Sequence, residues 1–316
     1  MNFVDLQRAG SRLLRHLPVL AIAFWVGAAD AAAQIEILLS DDSPVYTETA
    51  QALQEQLAGS ASVAVTNLAE SGTGRPAEEA ALAIAVGSRA LAAALESQRR
   101  LILAIAVTRE SYERALRTAD RQPAKPGTIS AIFLDQPPAR QLNLIRLLLP
   151  GKRRVGVLAA TDNEAKVRVL ESLAPGHDLT LVTETVSAPQ EVYSALKSLL
   201  PRTDLLLAVP DPTIYNSATL HNIMLAAFKA RQPVIACSPT FARAGAVATI
   251  YTSNAQFFRQ AAGIALRALR HGALPPPDYP REFELVVNST AAAALGLSIE
   301  DAAIVRSRLQ ALERER

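Results

Sequence analysis

The sequence predicts an α/β protein of two doubly wound, parallel-sheet lobes joined by a hinge with a cleft between them. Three observations carry this expectation. Short apolar runs rich in Val, Ile and Leu alternate with helical segments, the order that parallel sheets covered on both faces require. The 316 residues are enough for two buried cores. The alternation breaks once, at Asp135-Gln136-Pro137-Pro138, and then restarts.

In the first half the expected strands are Ile35–Leu39, Ser62–Thr66, Leu82–Val86, Leu101–Ala106 and Thr128–Phe133. Helices lie between them; in the first, Ala50, Leu53 and Leu57 recur at helical spacing and Pro44 sits where a first-turn proline is tolerated. Past the break, helix Ala139–Leu149 opens the second half with Leu142, Ile145 and Leu149 on one face. Strand Arg154–Leu158, helix Asn163–Leu173, strand Asp178–Thr183, helix Pro189–Leu199 and strand Leu205–Val209 follow. Helix Thr213–Lys229, strands Val234–Ala236 and Ala246–Thr249, and helix Asn254–Arg270 complete the alternation. Gly272–Pro280 contains four prolines and reads as an extended connector to strand Glu284–Val287. A short helix over Asn288–Leu295, a stop at Gly296 and a charged helix over Ser298–Arg316 close the chain. The first lobe is expected to comprise residues 34–132 plus about 250–276, and the second 133–249 plus about 277–316.

Residues 1–33 follow the plan of a cleavable secretory leader. Arg8, Arg12 and Arg15 form a basic start, Leu17–Ala29 an apolar stretch too short for a stable anchor, and Ala31, Ala32 and Ala33 a small-residue site. Cleavage is expected after Ala33, with Ala31 the second choice. The sole cysteine, Cys237, is far from that site, so a lipid anchor is not expected and the mature chain should be free in the periplasm. One cysteine makes no internal disulfide. Apolar residues are 50% of the chain and charged residues 20%, which argues against disorder. With 32 basic and 30 acidic residues and no basic run, neither nucleic acid nor an anionic membrane is an expected partner.

Three blocks resemble a known family. They are Ala139-Arg140-Gln141-Leu142 through Leu149-Pro150-Gly151-Lys152-Arg153-Arg154-Val155-Gly156-Val157-Leu158; Asp204–Val209 with Pro210-Asp211-Pro212, Arg231-Gln232-Pro233-Val234-Ile235 and Ala244-Gly245-Ala246; and Phe283-Glu284-Leu285-Val286-Val287-Asn288 with Ala294-Leu295-Gly296-Leu297. Together they resemble the ABC-transporter substrate-binding family whose branches include tryptophan- and tyrosine-transport components. The likeness is good over roughly 130–300 and weaker before, where the opening strand and helix lack the aromatic, His-rich start of many members. It implies the type I periplasmic-binding fold, three crossovers, a small-molecule ligand and an ABC permease as partner.

In open parallel sheets ligands collect beyond the carboxyl ends of strands. In the first lobe this selects Ser40, Asp41 and Asp42 after the first strand, Gly87 and Ser88 after the third, and Thr108 and Arg109 after the fourth. Glycine lets a ligand approach the backbone, a helix N-terminus suits an anion, and the Arg109 fork could grip a carboxylate. Helix capping by Ser40, Asp41 and Asp42, and solvent exposure of Arg109, are the competing readings. In the second lobe the candidates are Thr161, Asp162 and Asn163, then Asp211 for an amine, and Ser238 beside Cys237. No Cys-His-Asn or Ser-His-Asp signature accompanies Cys237, and His177, His221 and His271 are too scattered for a metal, so neither catalysis nor a metal or cofactor is expected.

The expected function is capture of a small solute, such as an amino acid or other carboxylate, by lobe closure, with the chain acting as a monomer. The competing readings are a sensory module serving a membrane receptor or kinase, a periplasmic enzyme, and a protein that has lost high-affinity binding.

Overall fold

The computed structural model describes residues 34–70, 80–97, 100–119, 126–161, 164–211 and 213–314. The expected leader, residues 1–33, lies outside them. The first lobe carries a parallel sheet of order β2-β1-β3-β4-β5: β1 (Ile35–Leu39), β2 (Val63–Asn67), β3 (Leu82–Val86), β4 (Leu101–Val107) and β5 (Ile129–Phe133). Its connecting helices are α1 (Pro44–Leu57), α2 (Ser88–Glu96) and α3 (Arg109–Thr118).

Strand periodicity assigns each side chain to a face. On β3, Leu82, Ile84 and Val86 pack on α1, while Ala83 and Ala85 pack on α2. The helices answer with matching stripes: α1 buries Ala50, Leu53 and Leu57, and α2 buries Ala90, Leu91, Ala94 and Leu95. Both sheet faces are thereby covered, as a parallel sheet requires. β4 departs from strict alternation. Its register against β5 shifts between Ala104 and Val107, and Ala106 takes a left-handed conformation with φ of 55°. The extra residue exchanges faces: Leu101, Leu103 and Ile105 point to the α1 side, but Val107 points to the α2 side.

Past Phe133 the chain enters the second lobe. Its helices are α4 (Pro138–Leu148), α5 (Glu164–Leu173), α6 (Val192–Leu199), α7 (Leu220–Lys229), α8 (Pro239–Arg243), α9 (Asn254–His271), α10 (Ser289–Ala294) and α11 (Ala302–Arg314), of which α9 returns to the first lobe. The second sheet has order β11-β10-β9-β8-β6-β7, from β6 (Arg154–Ala160), β7 (Thr180–Val186), β8 (Leu205–Leu207), β9 (Val234–Ala236), β10 (Ala248–Tyr251) and β11 (Glu284–Val287). Every pair is parallel except β10 with β11, which is antiparallel at the sheet edge. α4, α5 and α11 cover one face; α6, α7 and α8 cover the other.

The chain crosses between the sheets three times: at 134–137, at Thr252-Ser253, and at 279–283. Between the second and third crossings, α9 begins in a reciprocal Ser253–Gln256 capping box and packs on the first sheet. It stops at Gly272, whose φ of 70° is the left-handed turn that ends helices. The proline-rich connector then runs along β5, with Leu274 N–H donating to Gly127 C=O, Asp278 N–H to Ala131 C=O, and Phe133 N–H to Asp278 C=O.

One side chain joins these crossings. Arg140, on α4, is only 3% exposed and places all five of its N–H donors. They reach both oxygens of Glu313 on α11, Gln136 Oε1 in the first crossing, and the carbonyls of Pro280 and Arg281 in the third. Its guanidinium lies 4.3 Å from the centre of the Phe283 ring. Gln136 continues the network to the second crossing: Nε2 donates to Thr252 Oγ1 at 3.0 Å, and that hydroxyl donates to Glu282 C=O at 2.8 Å.

Several boundaries depart from the sequence-based expectation. The helix expected over Thr213–Lys229 begins only at Leu220, because Asp211 and Asn216 side chains take the N–H groups of Thr213, Ile214, Ala218 and Thr219. The strand expected over Asp178–Thr183 starts at Thr180, after Asp178 turns with φ of 54°. α8 was not anticipated, and the terminal helix starts at Ala302, where Asp301 accepts the Ala303 N–H.

The Arg140→Met variant is expected to lower unfolding free energy by about 3 kcal/mol, because it strands buried acceptors that a thioether cannot satisfy. Arg140→Lys should rescue little, since one ammonium cannot reproduce the planar fork. Urea unfolding of the mature protein checks both.

Candidate functional site

A cavity of about 180 Å³ lies between the lobes. The first lobe contributes Thr108, Arg109 and Glu113; the second contributes Ala165, Lys166 and Val169; Asp135, Gln136 and Tyr279 come from the crossings. The β4 bulge sets up the first wall, because the face exchange at Val107 precedes the start of α3. Thr108 caps that helix, its Oγ1 accepting the Ser111 N–H at 3.1 Å.

Each charge in the cavity already has a partner. Arg109 Nε pairs with Glu113 one helical turn on at 2.8 Å, and its terminal nitrogen donates to Tyr279 Oη at 3.5 Å. The Tyr279 and Glu113 contacts hold the Arg109 pKa above its ordinary value. Asp135 accepts the Arg109 backbone N–H at 2.9 Å through one oxygen and the Lys166 ammonium at 2.5 Å through the other. The side chains of this pair are only 5% and 12% exposed. An aromatic run backs the wall: Phe133 meets Tyr112 and Tyr279 edge-on at 5.7 and 5.3 Å. Burial pushes the Tyr112 phenol up to about 12.

Of the residues selected from sequence, Thr108 and Arg109 line this cavity. Ser40 is buried and engaged locally, its Oγ donating to Val86 C=O at 2.8 Å and accepting the Ala90 N–H at 3.0 Å. Gly87 adopts φ of 90°, and a Cβ there would lie 2.5 Å from Ser40 Oγ and 2.7 Å from Tyr46 Oη, so this glycine serves close packing of the rim. Asp41 accepts the Ser43 N–H at 2.9 Å; the Ser43 hydroxyl first, and that N–H second, hold its carboxyl below the usual range, and Asp42 is exposed. Ser88 lines a separate groove of about 290 Å³ between α2 and α3.

In the second lobe Thr161 is exposed after β6, while Asp162 and Asn163 lie outside the described residues. Asp211 is buried and accepts three backbone N–H groups, from Ala160 at 2.9 Å, Thr213 at 2.9 Å and Ile214 at 3.3 Å. It thereby ties the end of β6 to the loop after β8. Ser238 precedes α8 without a side-chain capping bond. Burial pushes the Cys237 thiol up to about 11, with Lys166 pulling the other way, so at neutral pH the sulfur is a poor nucleophile.

Sequence reasoning missed Asp135, Glu113, Lys166 and Tyr279. Asp135 opens the Asp-Gln-Pro-Pro break, and an acidic residue there was a usable signal. Lys166 and Glu113 sit on charged helices whose surface pattern conceals one inward-facing member.

Asp211→Asn is expected to lower stability by about 2 kcal/mol, because its amide NH2 meets donors where acceptors are needed. Thermal and urea unfolding check this; a change in ligand affinity without a stability loss would instead make Asp211 a ligand contact.

Comparison with known proteins follows the fold closely. The ligand-free, open structure of CD0873, a substrate binding protein with adhesive properties from Clostridium difficile, matches at TM-score 0.67 and 18% identity, covering 85% of this chain and 96% of that one. A conserved domain protein from Vibrio cholerae matches at 0.59 and 21% identity, covering 87% and 98%. An ABC domain in complex with L-Trp from Streptococcus pneumonia matches at 0.58 and 18%, covering 85% and 97%. No curated protein matches the sequence. Among the described residues no helix is long and apolar enough to cross a membrane. The family model described as ABC transporter substrate binding protein matches residues 125–309, more than half of the chain, and the protein belongs to that family.

Proposed function

We propose that the protein is exported to the periplasm as a leader-cleaved, unlipidated monomer, encloses a small solute between its lobes, and presents it to an ABC permease in the membrane. The observation that carries this reading is the cavity in which Thr108 and Arg109 of one lobe face Ala165 and Lys166 of the other. A cavity of about 180 Å³ suits a small solute. The solute we favour is an amino acid or other carboxylate. Support comes from the two cations, Arg109 and Lys166, and from L-Trp in a protein of the same fold. The carboxylate would exchange with Glu113 at the Arg109 fork, one ion pair for another at little electrostatic cost.

On this reading Ser40, Asp41, Asp42 and Gly87 shape the first rim, and Thr161, Asp211 and Ser238 the second. Binding favours closure by the solute's differential affinity for the closed state, and no chemistry is done on it.

A thermal-shift screen of the mature protein against amino acids, organic acids, sugars and purines tests the proposal. A true ligand at 100 times its Kd adds about 2.7 kcal/mol of stability. Arg109→Ala should abolish the shift for a carboxylate ligand; a shift of undiminished size in that variant would remove Arg109 from the site, and stabilisation by sugars alone would overturn the carboxylate reading.

A further inference from the structure

Asp135 occupies an unusual place. Two residues past β5 and three before α4, it sits in the first crossing, and its two oxygens are engaged in opposite directions. One takes the Arg109 N–H at the start of α3, in the first lobe; the other takes Lys166 on α5, in the second. The carboxylate is therefore a bridge between lobes, not a surface pair. With side chains 5% and 12% exposed, the ion pair is shielded from the salt and solvent that make surface pairs nearly worthless. Separating the two groups within this site would leave a buried charge uncompensated, so rotation of one lobe on the other must either keep the contact or bring water to both ends.

Other charges around the pair do not replace it. Arg109 is turned to Glu113 and Tyr279, and Glu110 is paired with Arg114. The neighbouring Cys237 thiol is held neutral by burial.

We propose that the Arg109 N–H···Asp135···Lys166 bridge is an interlobe tether that sets the angle between the lobes. It fixes α3 against α5 at the base of the cleft, while the Arg140 network fixes only the crossing strands and α11. The proposal goes beyond solute capture and concerns how the lobes are held, so its test contains no solute and its failure leaves the uptake reading untouched.

The test is spin-label distance measurement on the full mature chain with Cys237→Ser as background and labels at Glu48→Cys on α1 and Lys197→Cys on α6, both exposed positions. The tethered protein should give one narrow interlobe distance. Lys166→Met, which removes the cation but keeps the Asp135 bond to α3, should broaden the distribution about twofold or shift its centre. Lys166→Arg, which keeps the charge, should stay narrow. Asp135→Asn should resemble Lys166→Met. Circular dichroism melts confirm that each variant is folded. A distribution already broad in the parent protein, one unchanged in Lys166→Met, or one equally broadened in Lys166→Arg would each overturn the tether.

Discussion

The three crossings between the sheets create a physical problem that the rest of the structure depends on solving. Crossing segments cannot satisfy their carbonyls in a ladder, yet here they lie side by side and partly buried. Arg140 answers with a planar set of five donors, used on a carboxylate, an amide oxygen and two backbone carbonyls. Gln136 and Thr252 extend the same network to the remaining crossing. A single rigid guanidinium can join the first and third crossings without either forming a sheet, and the centre of the buried Phe283 ring lies 4.3 Å from it. The price of burying the charge is met because no donor is left over.

The cleft obeys a different electrostatic rule. Arg109, Lys166, Asp135 and Glu113 are arranged as two internal pairs, so the cavity presents compensated charge to an entering solute. A solute gains only the difference between its own contacts and those it replaces.

Much of this architecture was legible in the sequence, and the parts that were not share a cause. The first-half strands and the crossover at Asp135-Gln136-Pro137-Pro138 stand where β-branched runs and paired prolines place them, because burial and proline geometry are local properties. The late start of α7 was hidden, because Thr213–Lys229 has helical spacing throughout and periodicity does not register the Asp211 and Asn216 side chains that compete for its first N–H groups. The lining of the candidate site was half legible for the same reason. Strand ends pointed to Thr108 and Arg109, whereas Lys166 meets Asp135 across 31 residues of sequence, a distance that periodicity cannot see. Ser40 and Gly87 show the converse: residue types that suit a ligand also suit a tight strand-to-helix rim, and here they pack on one another.

The bulge in β4 links these levels. A regular strand would have continued its alternation and sent Val107 to the α1 face, rotating the start of α3 with it. One alanine held at φ of 55° costs roughly 1–2 kcal/mol, and it persists because Val107 then enters the α2 side of the core while its carbonyl accepts the Leu134 N–H at the mouth of the first crossing. Thr108 and the Arg109 N–H consequently face Asp135. The strained residue is thus neither in the cavity nor in the crossing; it lies one step behind both, where a small change of backbone direction decides whether the two meet.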